Sequence, residues 1–261
     1  MSTPVFSIAN QKGGVGKTTT AISLASALAE RRKRVLLLDL DSQANATSGL
    51  GLPKTEGRSI LSALLEDADV SSLVQPTSVP GLDIVASELD LAGAERELAN
   101  LPAYLQRLRT VLSPLAESGR YDFAFVDCPP SLNILTLNAF CASDGVIIPM
   151  QCEYFALEGI SVILRMTDKL REAGAAPRLA VEGIVMTMYD VRTNLSRQVT
   201  DEIRSHFPEA MYATLIPRSV RLAEAPSHGQ SVLAYAPEST GAAAYRKLAR
   251  EFLKRRAAKE A

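Results

Sequence analysis

The residues best equipped for chemistry stand together near the start of the chain. Asn10-Gln11-Lys12-Gly13-Gly14-Val15-Gly16-Lys17-Thr18-Thr19-Thr20 follow a short apolar run, Val5 to Ala9, and open onto a helical pattern. That order reads as strand, glycine loop, helix. Glycines let backbone N–H groups turn inward on a phosphate, and a helix N-terminus adds partial positive charge. At this spacing Lys17 reaches β- and γ-phosphates, and the Thr18 hydroxyl is placed to ligate Mg2+. The loop, residues 11–19, therefore predicts binding of a nucleoside triphosphate, with Gly13, Gly14, Val15, Gly16, Lys17, Thr18 and Thr19 as its contacts. It departs from the general pattern G-x-x-x-x-G-K-[ST] at Gln11, where a glycine is usual. A second lysine, Lys12, stands beside it. Lys12 comes one turn too early to grip the same phosphates from the same side as Lys17, and local packing does not explain it.

Two later apolar runs end in acids. Val35-Leu36-Leu37-Leu38 leads into Asp39-Leu40-Asp41, and strand alternation puts the two carboxylates on the same side of the backbone. One of them is expected to cap the following turn, a role that suits Asp39, and the other could orient a water for in-line attack on a γ-phosphate. The run Asp122 to Val126 ends in Asp127, followed by Cys128-Pro129-Pro130-Ser131. A hydrophobic strand ending in aspartate is the Walker B arrangement, which places its acid near Mg2+. Glu153, after a further strand, reads equally well as a helix N-terminal acid. His228 has no metal ligand or nucleophile nearby in sequence and is expected to be structural.

The elements that must position these groups alternate along the chain. Strands are predicted at Val5–Ala9, Arg34–Asp39, Leu82–Ala86, Tyr121–Asp127, Gly145–Pro149, Ala180–Met186 and Tyr212–Ile216. Helices are predicted at Thr18–Arg31, Ser59–Glu66, Pro102–Glu117, Leu132–Cys141, Ala156–Ala173, Leu195–His206 and Gly241–Ala258. Such alternation argues for one α/β domain over residues 1–261: a mostly parallel, twisted sheet with helices on both faces, and ligands beyond the carboxyl ends of the strands.

Composition narrows the class further. Hydrophobic residues make up 47% of the 261, enough for a substantial core. No stretch approaches the ~20 apolar residues that cross a bilayer. Met1-Ser2-Thr3-Pro4 lacks the basic start of a signal peptide, and Cys128, Cys141 and Cys152 lack metal-ligand spacing. A cytoplasmic protein with reduced, buried thiols is expected. The formal net charge is −1, yet residues 192–261 hold 12 Lys/Arg against 7 Asp/Glu. That basic C-terminal region could be a nucleic-acid or acidic-membrane surface, although charge alone fits a solvated helix face better.

Five motifs in order carry a family resemblance. K-G-G-x-G-K-T-T at Lys12–Thr19 resembles the deviant phosphate loop of the ParA/MinD family of P-loop ATPases. D-x-D at Asp39–Asp41, D-C-P-P-S at Asp127–Ser131, Q-C-E-Y-F-A-L-E-G at Gln151–Gly159 and the stretch Ile216–Gly229 are similar to those of Soj/ParA-type chromosome-partitioning ATPases. Ser42 stands where many relatives carry proline. The resemblance implies a P-loop NTPase fold, ATP and Mg2+ as cofactors, and ATP hydrolysis. It implies that Lys12 reaches across a homodimer interface to the partner's nucleotide, that Asp41 activates the water, that Asp127 contacts Mg2+ through water, and that Pro217 touches the base. It further implies ATP-dependent binding to nonspecific double-stranded DNA through Arg192 and Arg221, with Arg218 and the basic C-terminal helix (Arg246, Lys247, Arg250, Lys254, Arg255, Arg256) as weaker candidates. A ParB-like activator and a nucleoid-associated cytoplasmic location complete the expectation, with no membrane partner. Three rivals stand beside it. A MinD-like membrane-cycling ATPase would use the stripe Tyr245, Leu248, Ala249, Phe252 and Leu253 as an interfacial helix. A nitrogenase-iron-protein relative would need cysteines to hold a cluster. An ATP-gated scaffold would hydrolyse only incidentally.

Overall fold

Side chains along β1 (Val5–Ile8) point alternately into two separate cores: Val5 into one, Phe6 and Ile8 into the other. The same division runs through β2 (Val35–Asp39), where Leu36 and Leu38 face one core and Val35 and Leu37 face its opposite. A strand buried on both faces belongs inside a sheet covered by helices on each side, and period-two alternation sorts its side chains between the two layers.

The computed structural model describes residues 2–66, 68–154 and 156–260; Met1, Asp67, Phe155 of the Gln151–Gly159 stretch, and Ala261 lie outside them. After β1 come α1 (Lys17–Ala29), β2, α2 (Asn45–Gly49), α3 (Ile60–Glu66), α4 (Val70–Leu73), β3 (Val74–Pro76) and β4 (Leu82–Val85). The middle of the chain holds α5 (Ala94–Leu98), α6 (Arg107–Glu117), β5 (Phe123–Asp127), α7 (Ile134–Ala142), β6 (Gly145–Gln151), α8 (Ala156–Glu172) and β7 (Ala180–Thr187). The last part is helical: α9 (Asn194–His206), α10 (Val220–Glu224), α11 (Val232–Tyr235) and α12 (Thr240–Glu260). Among the described residues the sheet has seven strands in the order β3-β4-β2-β5-β1-β6-β7, parallel throughout except for the edge strand β3. One core packs α3–α9 against one face, and the other packs α1, α2, α10, α11 and α12 against the opposite face. The expected α/β fold is the observed one.

Two departures have physical causes. The expected strand Tyr212–Ile216 is an irregular strip beside β7. Tyr212 N–H donates to Ile184 O and Ile216 N–H to Met186 O, but the N–H groups of Ala213 and Thr214 turn away to the Glu251 carboxylate on α12. A side chain from the covering helix thus satisfies the donors a ladder would need. The edge strand β3 escapes prediction because it is three residues long and ends in Pro76, a residue tolerated only at sheet edges.

The apolar stripe of α12 is core. Tyr245, Leu248, Ala249 and Phe252 are buried against the sheet and α1, with Phe252 packed edge-on to Phe6 and Phe123 at ring separations of 5.2 Å each. This packing consumes the face that an interfacial membrane helix would need. No helix among the described residues is long and apolar enough to cross a membrane.

Candidate active site

The turn from β1 into α1 is shaped by glycines in the left-handed region: Gly14 at φ 74° and Gly16, which caps α1, at φ 86°. L side chains strain there, so the sequence reserves both positions for glycine. The loop is braced from neighbouring strand ends. Asn10 Nδ2 donates to Pro149 O (2.8 Å) while its Oδ1 accepts the Lys12 N–H (3.0 Å). Thr187 Oγ1 donates to Val15 O (2.8 Å), and Gln151 Nε2 donates to Gly14 O (3.1 Å). Asn10, Gln151 and Thr187 are positioning residues; Asn10 and Gln151 lie within the quoted motifs, but the bracing role of all three is not legible from sequence alone. Their one visible signal is that each lies at the carboxyl end of a parallel strand.

Lys17 lies buried at the first position of α1, with its ammonium donating to Lys12 O at 3.1 Å. Burial lowers its pKa, opposed by Asp127, Cys128 and Asp41. Asp127, at the end of β5, is fully buried, and neither carboxylate oxygen has a hydrogen-bond partner. Burial and the Asp39 and Asp41 charges push its pKa well up, while Thr18 and Lys17 pull the other way. Two orphaned, buried oxygens facing a threonine and a lysine suit a hydrated cation, because water in its shell would supply the missing donors. The donor set therefore fits Mg2+.

The two acids of D-x-D have different surroundings. Asp39 accepts from Thr47 N–H and Thr47 Oγ1 (both 2.8 Å) and from Asp41 N–H (3.2 Å), so it ties β2 to α2. Burial raises it to about 6 despite these bonds. Asp41 projects beyond the strand end, and one of its oxygens accepts the Gln43 N–H at 3.0 Å. Its field reaches both Lys17 and Asp127, so the structure gathers the three around the loop.

Lys12 points to the other side. Its ammonium is half exposed and ion-paired with Glu153 of the same chain. The two line a hollow of about 360 Å3 with Asn10, Val15 and Met150. A separate cavity of about 440 Å3 opens beside the α1 N-terminus, lined by Gly16, Thr19, Met188, Pro217, Val220 and Leu222 among others. It is large enough for a nucleobase and ribose, and Pro217 forms part of its wall.

The predicted DNA-contact arginines share one rim. Tyr189 bridges to Pro217, and Arg218 N–H donates to Tyr189 O at 3.1 Å, so the loops carrying Arg192 and Arg218 lie side by side at the mouth of the larger cavity. Arg192 is 83% exposed and forms a two-pronged pair with Asp190 (2.9 and 2.7 Å), whose pKa its hydrogen bonds hold down to about 2. Arg221 pairs with Glu224 at 2.8 Å. Most of the paired cations on α12 serve the fold instead. Arg246 holds Glu30, Arg255 holds Glu251 and the carbonyls of residues 209–211, and Arg256 and Lys259 hold Glu182. Lys247, Arg250 and Lys254 are exposed.

The remaining sequence candidates are structural. His228 stacks on Tyr235 at 4.7 Å. The three cysteines are buried and free, with thiol pKa values raised by burial. Among the described residues no group of His, Cys, Asp and Glu is arranged to hold a metal on its own.

Comparison with known proteins places this geometry among named relatives. The family model described as an AAA domain matches residues 3–181. The chain is 47% identical over 252 residues to the chromosome partitioning protein ParA of Caulobacter vibrioides, covering 96% of this chain and 94% of that one. It is 49% identical over 250 residues to the chromosome-partitioning ATPase Soj of Thermus thermophilus, covering 96% and 95%. The fold superposes with a TM-score of 0.83 and 36% identity on a Mycobacterium smegmatis protein described as cobyrinic acid a,c-diamide synthase, crystallised with ADP and magnesium, covering 97% and 94% of the two chains.

Proposed function

The chain belongs to the ParA/Soj family of chromosome-partitioning ATPases, and from that premise we propose that it hydrolyses ATP with Mg2+ to switch its own hold on DNA. The observation that carries the reading is the pair of buried groups under the loop: a desolvated Lys17 and an Asp127 carboxylate whose buried oxygens are left without a hydrogen bond although Thr18 and Lys17 stand beside them. Both await a ligand with phosphate charge and a hydrated cation.

In this reading the triphosphate lies along Gly13 to Thr19, and the base enters the cavity against Pro217. Thr18 directly, and Asp127 through water, would hold Mg2+, which when bound neutralises charge on the phosphate oxygens. Asp41 orients the attacking water, and Lys17 stabilises the charge that develops on the transferred phosphoryl group. Lys12 leaves Glu153 and completes the site of a second copy, so that two chains close face to face. The closed pair presents two sets of Arg192, Arg218 and Arg221 to duplex DNA. One set binds phosphates weakly, and two sets held together bind far more tightly. Loss of the γ-phosphate opens the pair and frees the DNA. A ParB-like partner is the expected activator, and a nucleoid-associated location follows from the DNA contact.

Steady-state turnover tests the enzymatic part. Mg2+-dependent ATP hydrolysis that rises with DNA and a ParB-like partner, and falls about 100-fold or more in Asp41→Ala, is expected from the loss of a positioned carboxylate. Turnover indifferent to DNA, to partner and to Asp41→Ala would instead favour the ATP-gated scaffold.

A further inference from the structure

We propose that Asp190 and Glu224 are built-in competitors of DNA phosphate that set how tightly this protein holds DNA. The inference rests on the DNA reading above and adds a determinant to that surface. Arg192 meets Asp190 through Nε and Nη2 at once, and its own backbone N–H also donates to Asp190 Oδ1 at 3.0 Å. Arg221 meets Glu224, whose carboxylate is also held by the Tyr235 hydroxyl at 3.3 Å. Each arginine is thus matched by a carboxylate two or three residues away, Arg192 in a two-pronged geometry that mimics a phosphate contact and Arg221 through a single bond.

The arrangement has an energetic meaning. An exposed ion pair is worth little to the fold. These pairs lie on a loop and a five-residue helix at the surface, where they stabilise little else. Their larger effect is on a third party. A guanidinium already neutralised by a carboxylate must release it before it can take a phosphate, and the released carboxylate then sits beside DNA as a like charge. One chain therefore offers little free positive charge at this rim, where exposed Arg218 also shares the field of Asp190. Two chains clamped together can outcompete the carboxylates where one cannot. The same loops wall the larger cavity through Met188, Pro217 and Val220, next to the paired arginines.

The test uses the full chain with a nonspecific duplex DNA, ATP or ADP, and a salt series. Asp190→Asn keeps an oxygen for the Arg192 N–H while removing the charge. Several-fold tighter binding is expected, with a salt dependence steeper by roughly 0.9 in log–log slope for each arginine released. Detectable binding with ADP is expected as well. Glu224→Gln should act in the same direction. In an Arg192→Ala background the gain from Asp190→Asn should largely vanish, because the carboxylate then has nothing to occupy. An equal gain in that background would overturn the proposal, showing only a long-range charge effect. So would unchanged affinity and slope in Asp190→Asn while Arg192→Ala weakens binding. If Arg192→Ala and Arg221→Ala bind DNA as the wild type does, the DNA surface itself is misplaced and the proposal falls with it.

Discussion

Asp127 and Lys17 are costly residues in a chain without ligand. An unpaired buried carboxylate forgoes the hydrogen bonds it made in water, and a buried ammonium does the same in part. Asp127→Asn removes the ionisable group at nearly constant shape. It should raise the thermal stability of the ligand-free chain by about 1–2 kcal/mol. The same change should remove most of the stabilisation that Mg2+ and ATP give together. A melting experiment with and without the two ligands checks both signs, and an apo chain less stable than wild type would contradict the assignment of cost. Lys12 makes a contrasting case. It is half exposed and, among the described residues, ion-paired with Glu153 alone, so Lys12→Ala should change stability by less than about 1 kcal/mol. Nucleotide binding should survive it, while ATP-dependent dimers should not form. Size-exclusion chromatography with ATP decides the matter, a stable Lys12→Ala dimer being the adverse result.

At the scale of elements, α12 is the piece on which sheet and rim both depend. Phe252 is buried among Phe6, Phe123 and Phe125, and Phe252→Ala should cost about 3–5 kcal/mol by chemical denaturation. Glu251, one residue earlier, takes the N–H groups of Ala213 and Thr214 and the Thr214 hydroxyl, and pairs with Arg255. Burial alone would raise its pKa, but these bonds outweigh burial and lower it. A carboxyl depressed in the folded state contributes stability above its unfolded pKa and loses it as pH falls through the folded value. The stability difference between wild type and Glu251→Gln should therefore be full at neutral pH and close below about pH 4.5. A difference that widens in acid would refute the role. This contact also marks the limit of what could be read ahead of the structure. The parallel strands were legible because β-branched and apolar runs alternate with helical periods, and the phosphate loop because its glycines and lysines have no other economical use. The strip Tyr212–Ile216 looks like a strand in isolation, and only the arrival of Glu251 from 37 residues further on diverts its N–H groups. The bracing roles of Asn10, Gln151 and Thr187 were hidden for the same reason: beyond its place at a strand end, a brace shows nothing in sequence until the strands it joins are adjacent. The ion pairs of Arg192 and Arg221 were hidden too, since their partners look like ordinary surface acids.

For the whole molecule, the phosphate loop, the larger cavity and the arginine rim lie on connected elements at the carboxyl ends of the strands. The basic bias of residues 192–261 is spent unevenly. Four of its cations fasten α12 to the body, two pair locally on α9, and the rest lie on the rim or along the exposed side of α12. DNA binding would then depend on bringing two rims together rather than on bulk charge, which is −1 for the chain. The most direct measurement is binding of the full chain to nonspecific duplex DNA with ATP, with ADP and without nucleotide, Asp41→Ala run in parallel. Binding confined to ATP, prolonged by Asp41→Ala and abolished by high salt is the predicted result. DNA binding that is the same in all three nucleotide states, or absent in all of them although ATP-dependent dimers form, would contradict the account.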